Sequence, residues 1–313
     1  MNDSICEYLR ELAIANIFSN STFQRCWTTW KPAIVRLIGN PPNATNIINI
    51  GDELSNIFRM TSTAGRGQSS LSGGGNAWEG LICWYLNLCL AGSRTVVIKQ
   101  NRNLIPEPVK ESLTVSYANS PSNTESDIVA ITFPNRQEYI GDKSTISATN
   151  IRTGQAIPIL ARGRFNYKPI IDSLMSQDFN NCEIGIIQCK TNWNDNAQIP
   201  MLWDMIYLAN GFHSRNISVG NSSYSIRNIR RFTYSFVTVP TSSGPFNPTS
   251  LCVKRVYNIS GGNYWGRPSV PSVANSIKDI FGKNFTNGAV HNLVADLNAA
   301  LPSLHSTLSY FQL

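Results

Sequence analysis

Apolar residues recur at three- and four-residue spacing near the start of the chain: Ile5, Leu9, Leu12, Ala13 and Ile17, then Trp27, Trp30, Ile34 and Leu37. That period predicts amphipathic helix over residues 4–38. The cluster Gly39-Asn40-Pro41-Pro42-Asn43 stops it, and a second helix is expected from Ile47 to Met60. Trp78 to Ala91 is apolar on nearly every side with Glu79 as its only charge, the pattern of a buried helix. Beyond it the texture becomes β-branched. Thr95–Lys99, Asp127–Phe133 and Glu183–Thr191 read as strands, Ser144–Ile159 as further β structure, and Lys168–Met175 as a helix. After the third strand, Asn194 or Asp195 can cap a helix with Pro200 in its tolerated first turn and Leu202, Trp203, Ile206 and Tyr207 on its buried stripe. Leu293, Leu297, Leu301, Leu304 and Leu308 predict a C-terminal helix that packs either on the core or on a second subunit.

Elements in this order imply an α/β (α+β) fold: a mixed β-sheet core flanked by helices, with a helical N-terminal segment and a basic C-terminal lobe. The expected organisation is residues 1–72 as the helical segment and a Gly/Ser loop, 73–210 as the core, and 211–313 as the basic lobe with its terminal helix. The three can equally form one continuous domain.

Composition narrows the partner. Only 14% of the residues are charged, and 26 Lys plus Arg stand against 19 Asp plus Glu, a net +7. A basic balance favours a polyanionic partner. The positive charge is concentrated: residues 213–267 carry Arg215, Arg227, Arg230, Arg231, Lys254, Arg255 and Arg267 with no acidic residue. A solvated face normally intersperses both signs, so nucleic-acid contact is the favoured reading of this stretch. The seven cysteines include no CxxC pair, which reads as buried, reduced thiols of a cytoplasmic protein and gives no structural zinc framework. No run reaches the length of a membrane span, and Met1–Ile38 lacks the basic-then-apolar pattern of a signal peptide.

Four groups carry candidate chemistry. Gln188 and Lys190 lie two apart on one strand and therefore share a face. Asp127 opens another apolar strand, where a carboxylate serves either a turn or a metal. Glu79 lies in the first turn of its helix, where a carboxylate also serves as a cap. Just ahead of it, residues 61–75 are rich in Gly and Ser with Arg66 as the single charge; they read equally as a linker or as a phosphate-holding loop. No Walker loop, dinucleotide fingerprint or nucleophile elbow occurs.

Glu79, Ser126-Asp127 and Gln188-Cys189-Lys190 resemble the signature of the PD-(D/E)xK nuclease superfamily. The run Lys190-Thr191-Asn192-Trp193-Asn194-Asp195 ahead of an apolar helix resembles type II restriction endonucleases in particular. The resemblance covers roughly residues 73–210. It departs from the family pattern in Ser126, where proline is usual, and in Gln188, where a carboxylate is commonest. Asp127 and Lys190 are also 63 positions apart (190 − 127), which requires the 134–181 segment to be an insertion or extra strands. Asp172 is a lesser candidate for the aspartate.

The resemblance implies a Mg²⁺-dependent, site-specific endonuclease for double-stranded DNA. Asp127, the Gln188 side-chain carbonyl and the Cys189 backbone carbonyl would converge on the ion, with Lys190 as the catalytic cation and Glu79 behind them or on a second ion. A homodimer reading a palindrome is expected, or a heterodimer with a related subunit. The alternatives are an inactive DNA-binding protein on the same core, or a nuclease for repair, junction or modified DNA.

Overall fold

Three helices stack in sequence at the N-terminal end: α1 (Ile5–Phe18), α2 (Ser21–Ile38) and α3 (Ala44–Arg59). Ser4, Asn20 and Asn43 cap them, each side-chain oxygen accepting from the amide three residues on, which satisfies donors the helix itself leaves open. The computed structural model describes residues 3–61, 71–99, 101–118, 120–122, 126–191, 217–221, 223–239, 247–250, 254, 260–266, 275–285 and 293–313. The helix expected after Asn194 lies outside these residues, as do residues 62–70 with Arg66, and Arg215, Arg255 and Arg267.

The chain continues through α4 (Leu71–Cys89), β1 (Thr95–Lys99), α5 (Glu107–Leu113), β2 (Val115–Tyr117), β3 (Ser120–Ser122), β4 (Ile128–Thr132) and the short α6 (Gln137–Ile140). Two small hairpins follow, β5 (Ala148–Thr149) with β6 (Ala156–Ile157) and β7 (Leu160–Ala161) with β8 (Arg164–Phe165). Then come α7 (Tyr167–Asp178), β9 (Glu183–Lys190), β10 (Ile217–Val219), β11 (Arg231–Thr238), β12 (Gly262–Tyr264), α8 (Ile280–Asn284) and α9 (Leu293–Ala300).

A five-stranded sheet in the order β1-β4-β9-β11-β12 forms the centre. β1, β4 and β9 pair antiparallel, while β9, β11 and β12 run parallel, so the sheet is mixed and helices flank it. β9 is its middle strand, buried from Glu183 to Cys189, as the run Ile184-Gly185-Ile186-Ile187 anticipates. β11 and β12 come from the basic C-terminal stretch and complete this sheet. A separate three-stranded sheet joins β10, β2 and β3. The segment between β4 and β9 holds α6, the two hairpins and α7.

α4 is the central helix. Trp78, Leu81, Ile82, Trp84 and Leu86 are fully buried, and α4 packs against β1 and β9 on one side and α2 and α3 on the other. At Gly80 a β-carbon would fall 2.6 Å from the Phe23 ring, so only glycine lets α2 come this close. α4 starts at Leu71, ahead of the expected Trp78, and takes in Gly73, Gly74 and Gly75. A helix nucleated on a buried apolar segment gains a hydrogen bond for each further residue, which offsets the poor propensity of glycine. The opposite face of the sheet is covered by α5 and α7 through Val109, Leu113, Ile170, Ile171, Leu174 and Met175.

The C-terminal tail packs on the core of its own chain, with Leu297, Leu304, Leu308 and Phe311 buried and the Trp84 indole N–H donating to the Phe311 carbonyl at 3.1 Å. The expected continuous helix ends at Ala300 and gives way to tighter turns. Pro302 is the cause, because it disfavours helical backbone at the residue before it and donates no amide hydrogen. No helix of the described residues is long and apolar enough to cross a membrane.

Candidate functional site

The antiparallel pairing of β4 with β9 sets Ile128 opposite Ile187. One step outward, at the end of the sheet, Asp127 comes beside Gln188. The Asp127 Oδ2 accepts a 2.7 Å hydrogen bond from the Cys189 amide, which fixes the carboxylate against the strand that carries Gln188 and Lys190. On the other side of β9, the parallel partner β11 sets Phe236 beside Gln188 and Thr238 beside Lys190.

The two faces of the sheet carry different halves of the site. Ile187 and Cys189 belong to the core formed with α4, Val97 and Ile128, whereas Ile184 and Ile186 belong to the core formed with Val129, Phe236 and α7. Alternation therefore sends Gln188 and Lys190 to the face away from α4. Gln188 is 3% exposed, and Lys190 is half-buried at the strand end. Glu79 stands on the α4 face, where its carboxylate meets Lys99 Nζ at 3.4 Å. Lys99 also donates to the Asn76 carbonyl at 3.0 Å and to the Asn76 side-chain oxygen. Glu79 with Lys99 and Gln188 with Lys190 approach the end of the sheet from opposite faces, and Asp127 stands between them.

Electrostatics tie the halves together. Burial, reinforced by the negative charge of Glu79, pushes the Asp127 carboxyl up to about 7, against the pull of Lys190, the Cys189 amide and Lys99. The Glu79 carboxyl is also raised by burial, and Lys99 and then Lys190 oppose the shift. Two desolvated carboxylates and two lysines therefore share one field. Lys190 influences both acids without forming an ion pair with either among the described residues; the ion pair of Glu79 is with Lys99. The Cys189 thiol is buried and raised well above the usual thiol range, chiefly by desolvation, so at neutral pH it offers its backbone groups and no thiolate. Among the described residues no three His, Cys, Asp or Glu side chains cluster as a metal site. The oxygens of Gln188 and of the Cys189 backbone are donors of a different kind.

Other expected residues fall elsewhere. Asp172, the lesser candidate, lies on α7 with its Oδ1 engaged by Lys168 Nζ at 2.8 Å and by the Glu107 amide at 2.7 Å, which removes it from the site. Arg231 pairs with Glu183 in register, at the opposite end of β9 from Lys190, about 23 Å away at 3.3 Å per residue. Its guanidinium donates to the Lys283 and Asn284 carbonyls, so it ties β11 to α8. Arg230 is exposed at the same far end, 3.9 Å from Glu183, and Arg227 and Lys254 are exposed as well.

Lys99 and Asn76 are the residues that sequence reasoning missed. The signal for Lys99 was present: it is the single charge of an otherwise apolar strand, and like Lys190 it closes its strand. Neither a protein-family model nor a curated protein matches this chain.

Proposed function

We propose that this chain is a Mg²⁺-dependent endonuclease for double-stranded DNA, of the PD-(D/E)xK kind, acting in the cytoplasm. The observation that carries the reading is the hydrogen bond from the Cys189 amide to Asp127, which holds a carboxylate beside Gln188 and Lys190 at the end of a mixed sheet. The sheet supports it further, with antiparallel β1-β4-β9 continued by parallel β11 and a buried helix bearing Glu79 packed against β1 and β9.

The residues fit a hard divalent cation. Asp127 is raised to about 7 because its charge is buried next to Glu79 and incompletely compensated, the condition a cation relieves. The Asp127 carboxylate, the Gln188 amide oxygen and the Cys189 carbonyl are the oxygen donors such an ion prefers. With Glu79 engaged by Lys99, its role is to position and to set the local charge. When bound, the ion would polarise the scissile phosphate and acidify water. Lys190 would balance charge that builds on the phosphate oxygens and orient the attacking water, and Asp127 would act in its ionised form. Cutting both strands of a duplex calls for two such sites, hence a symmetric pair of chains.

Digestion of plasmid DNA with Mg²⁺ tests the reading. The parent is expected to give discrete fragments, and Lys190→Ala to cut at least about a hundredfold more slowly while binding DNA equally in Ca²⁺. A parent that binds but never cuts, or a Lys190→Ala variant that cuts at the parent rate, sinks it.

A further inference from the structure

The segment between β4 and β9 carries a second concentration of positive charge. From residue 143 to 171 the chain holds Lys143, Arg152, Arg162, Arg164 and Lys168 and no acidic residue. Two of these cations sit on a shaped element. The β7–β8 hairpin turns through Arg162 (φ 51°) and Gly163 (φ 75°), both left-handed, the geometry of a tight two-residue turn. Ala161, Arg162, Gly163 and Arg164 are all exposed, and a β-carbon added to Gly163 would meet nothing within 4 Å, so the tip stands clear of the protein.

The base of the hairpin is anchored. Phe165 meets the Tyr8 ring edge-on at 5.1 Å, Lys143 lies over both rings, and Asn166 closes the hairpin through its amide to the Ile159 carbonyl at 2.8 Å. Neither Arg162 nor Arg164 has a carboxylate partner among the described residues, unlike Arg10, Arg136 and Arg230. Two unpaired guanidinium groups flanking a glycine on a fixed, projecting ribbon make a poor stabilising device, since each exposed arginine adds self-repulsion and no packing.

We propose that the Arg162-Gly163-Arg164 tip is a docking element for duplex DNA, its two guanidinium forks gripping phosphates along a groove that the narrow ribbon enters. The class of partner follows from charge and shape. The guanidinium fork matches phosphate oxygens bidentately. A two-stranded ribbon fits the major groove, about 12 Å wide. Gly163 lets the backbone approach without a side chain. The inference rests on the duplex-DNA reading above, and it adds a contact far in sequence from residues 213–267.

The test is equilibrium binding of the full-length protein to a fluorescent duplex in Ca²⁺ over a range of salt. Arg162→Ala/Arg164→Ala is compared with Arg25→Ala/Arg36→Ala, which removes the same charge from exposed positions on α2. The hairpin variant is expected to bind at least about tenfold more weakly at low salt, with a salt slope smaller by about 2, one counterion per lost phosphate contact. The α2 variant should stay close to the parent, and Arg162→Lys/Arg164→Lys should keep the slope and lose part of the affinity. Melting curves check that the hairpin variant folds like the parent, as its exposed tip predicts. Equal binding by parent and hairpin variant overturns the proposal, and so does an equal loss in the α2 variant. A parent that binds and cuts alongside such a result leaves the nuclease reading standing; a parent with no affinity for duplex DNA overturns both.

Discussion

The Cys189 amide and the Asp127 carboxylate, 2.7 Å apart, join the two strands that bear the candidate chemistry. That bond is too little to offset the desolvation of Asp127, whose carboxyl remains raised to about 7. An acid held in this condition costs the fold stability, and the cost depends on pH.

In the unfolded chain the Asp127 carboxyl ionises near its ordinary 3.8, whereas in the folded chain it keeps its proton until about 7. Between those values the unfolded state binds fewer protons, so stability falls as pH rises and the penalty is complete above about 7. Asp127→Asn is therefore expected to melt higher than the parent at pH 8, by an amount on the order of a few kcal/mol, and to match it near pH 4. Thermal melts at the two pH values check this. The same variant should lose cleavage, and in the parent cleavage should rise with pH through the range around 7.

Lys99→Met leaves Glu79 as a buried carboxylate without its ion-pair partner. Both Glu79 and Asp127 lose a charge that lowers them, so both should ionise at higher pH. The acidic limb of the pH–rate profile is expected to move to higher pH, while Lys99→Arg holds it near the parent position. An unmoved limb in Lys99→Met would show that Lys99 is a packing residue only.

Gln188→Glu adds a negative charge to the donor set. Half-maximal cleavage should then require less Mg²⁺, because a hard cation gains more from a second carboxylate than from an amide oxygen. In the absence of cation the variant should melt below the parent at pH 8, since a third buried carboxylate joins Asp127 and Glu79. Mg²⁺ titrations of rate and of melting temperature read the two effects separately.

Arg10 is a structural counterpart to these groups. Fully buried on α1, it pairs with Glu7 and donates to the Ser93 and Thr95 carbonyls at 2.8 and 2.9 Å, which pins α1 to the start of β1. Arg10→Met is expected to cost about 3–5 kcal/mol, because it removes the cation beside Glu7 and leaves two buried carbonyls without their donor. Denaturant melts measure it, and a loss below about 1 kcal/mol would mean that water replaces the arginine.

Local patterns made much of this fold legible. The strands Thr95–Lys99 and Glu183–Lys190 and the helix Tyr167–Asp178 fall where β-branched runs and apolar spacing put them, because each buries one continuous apolar surface. Element ends were less legible. Helix α4 starts earlier than its glycines suggest and α9 stops sooner than its leucines suggest, since hydrogen-bond propagation and a proline outweigh periodicity there.

For the site, the chain by itself determined that Gln188 and Lys190 share a face, because alternation along a strand is a local property of the backbone. That Asp127 stands beside them was decided only by the antiparallel register of β4 on β9, a pairing across an intervening pair of hairpins and a helix. That Glu79 comes from the other face, already held by Lys99, was likewise decided only by the packing of α4 against β1. Sequence spacing says which groups a strand presents; which groups meet depends on long-range contacts, whose geometry no local pattern encodes.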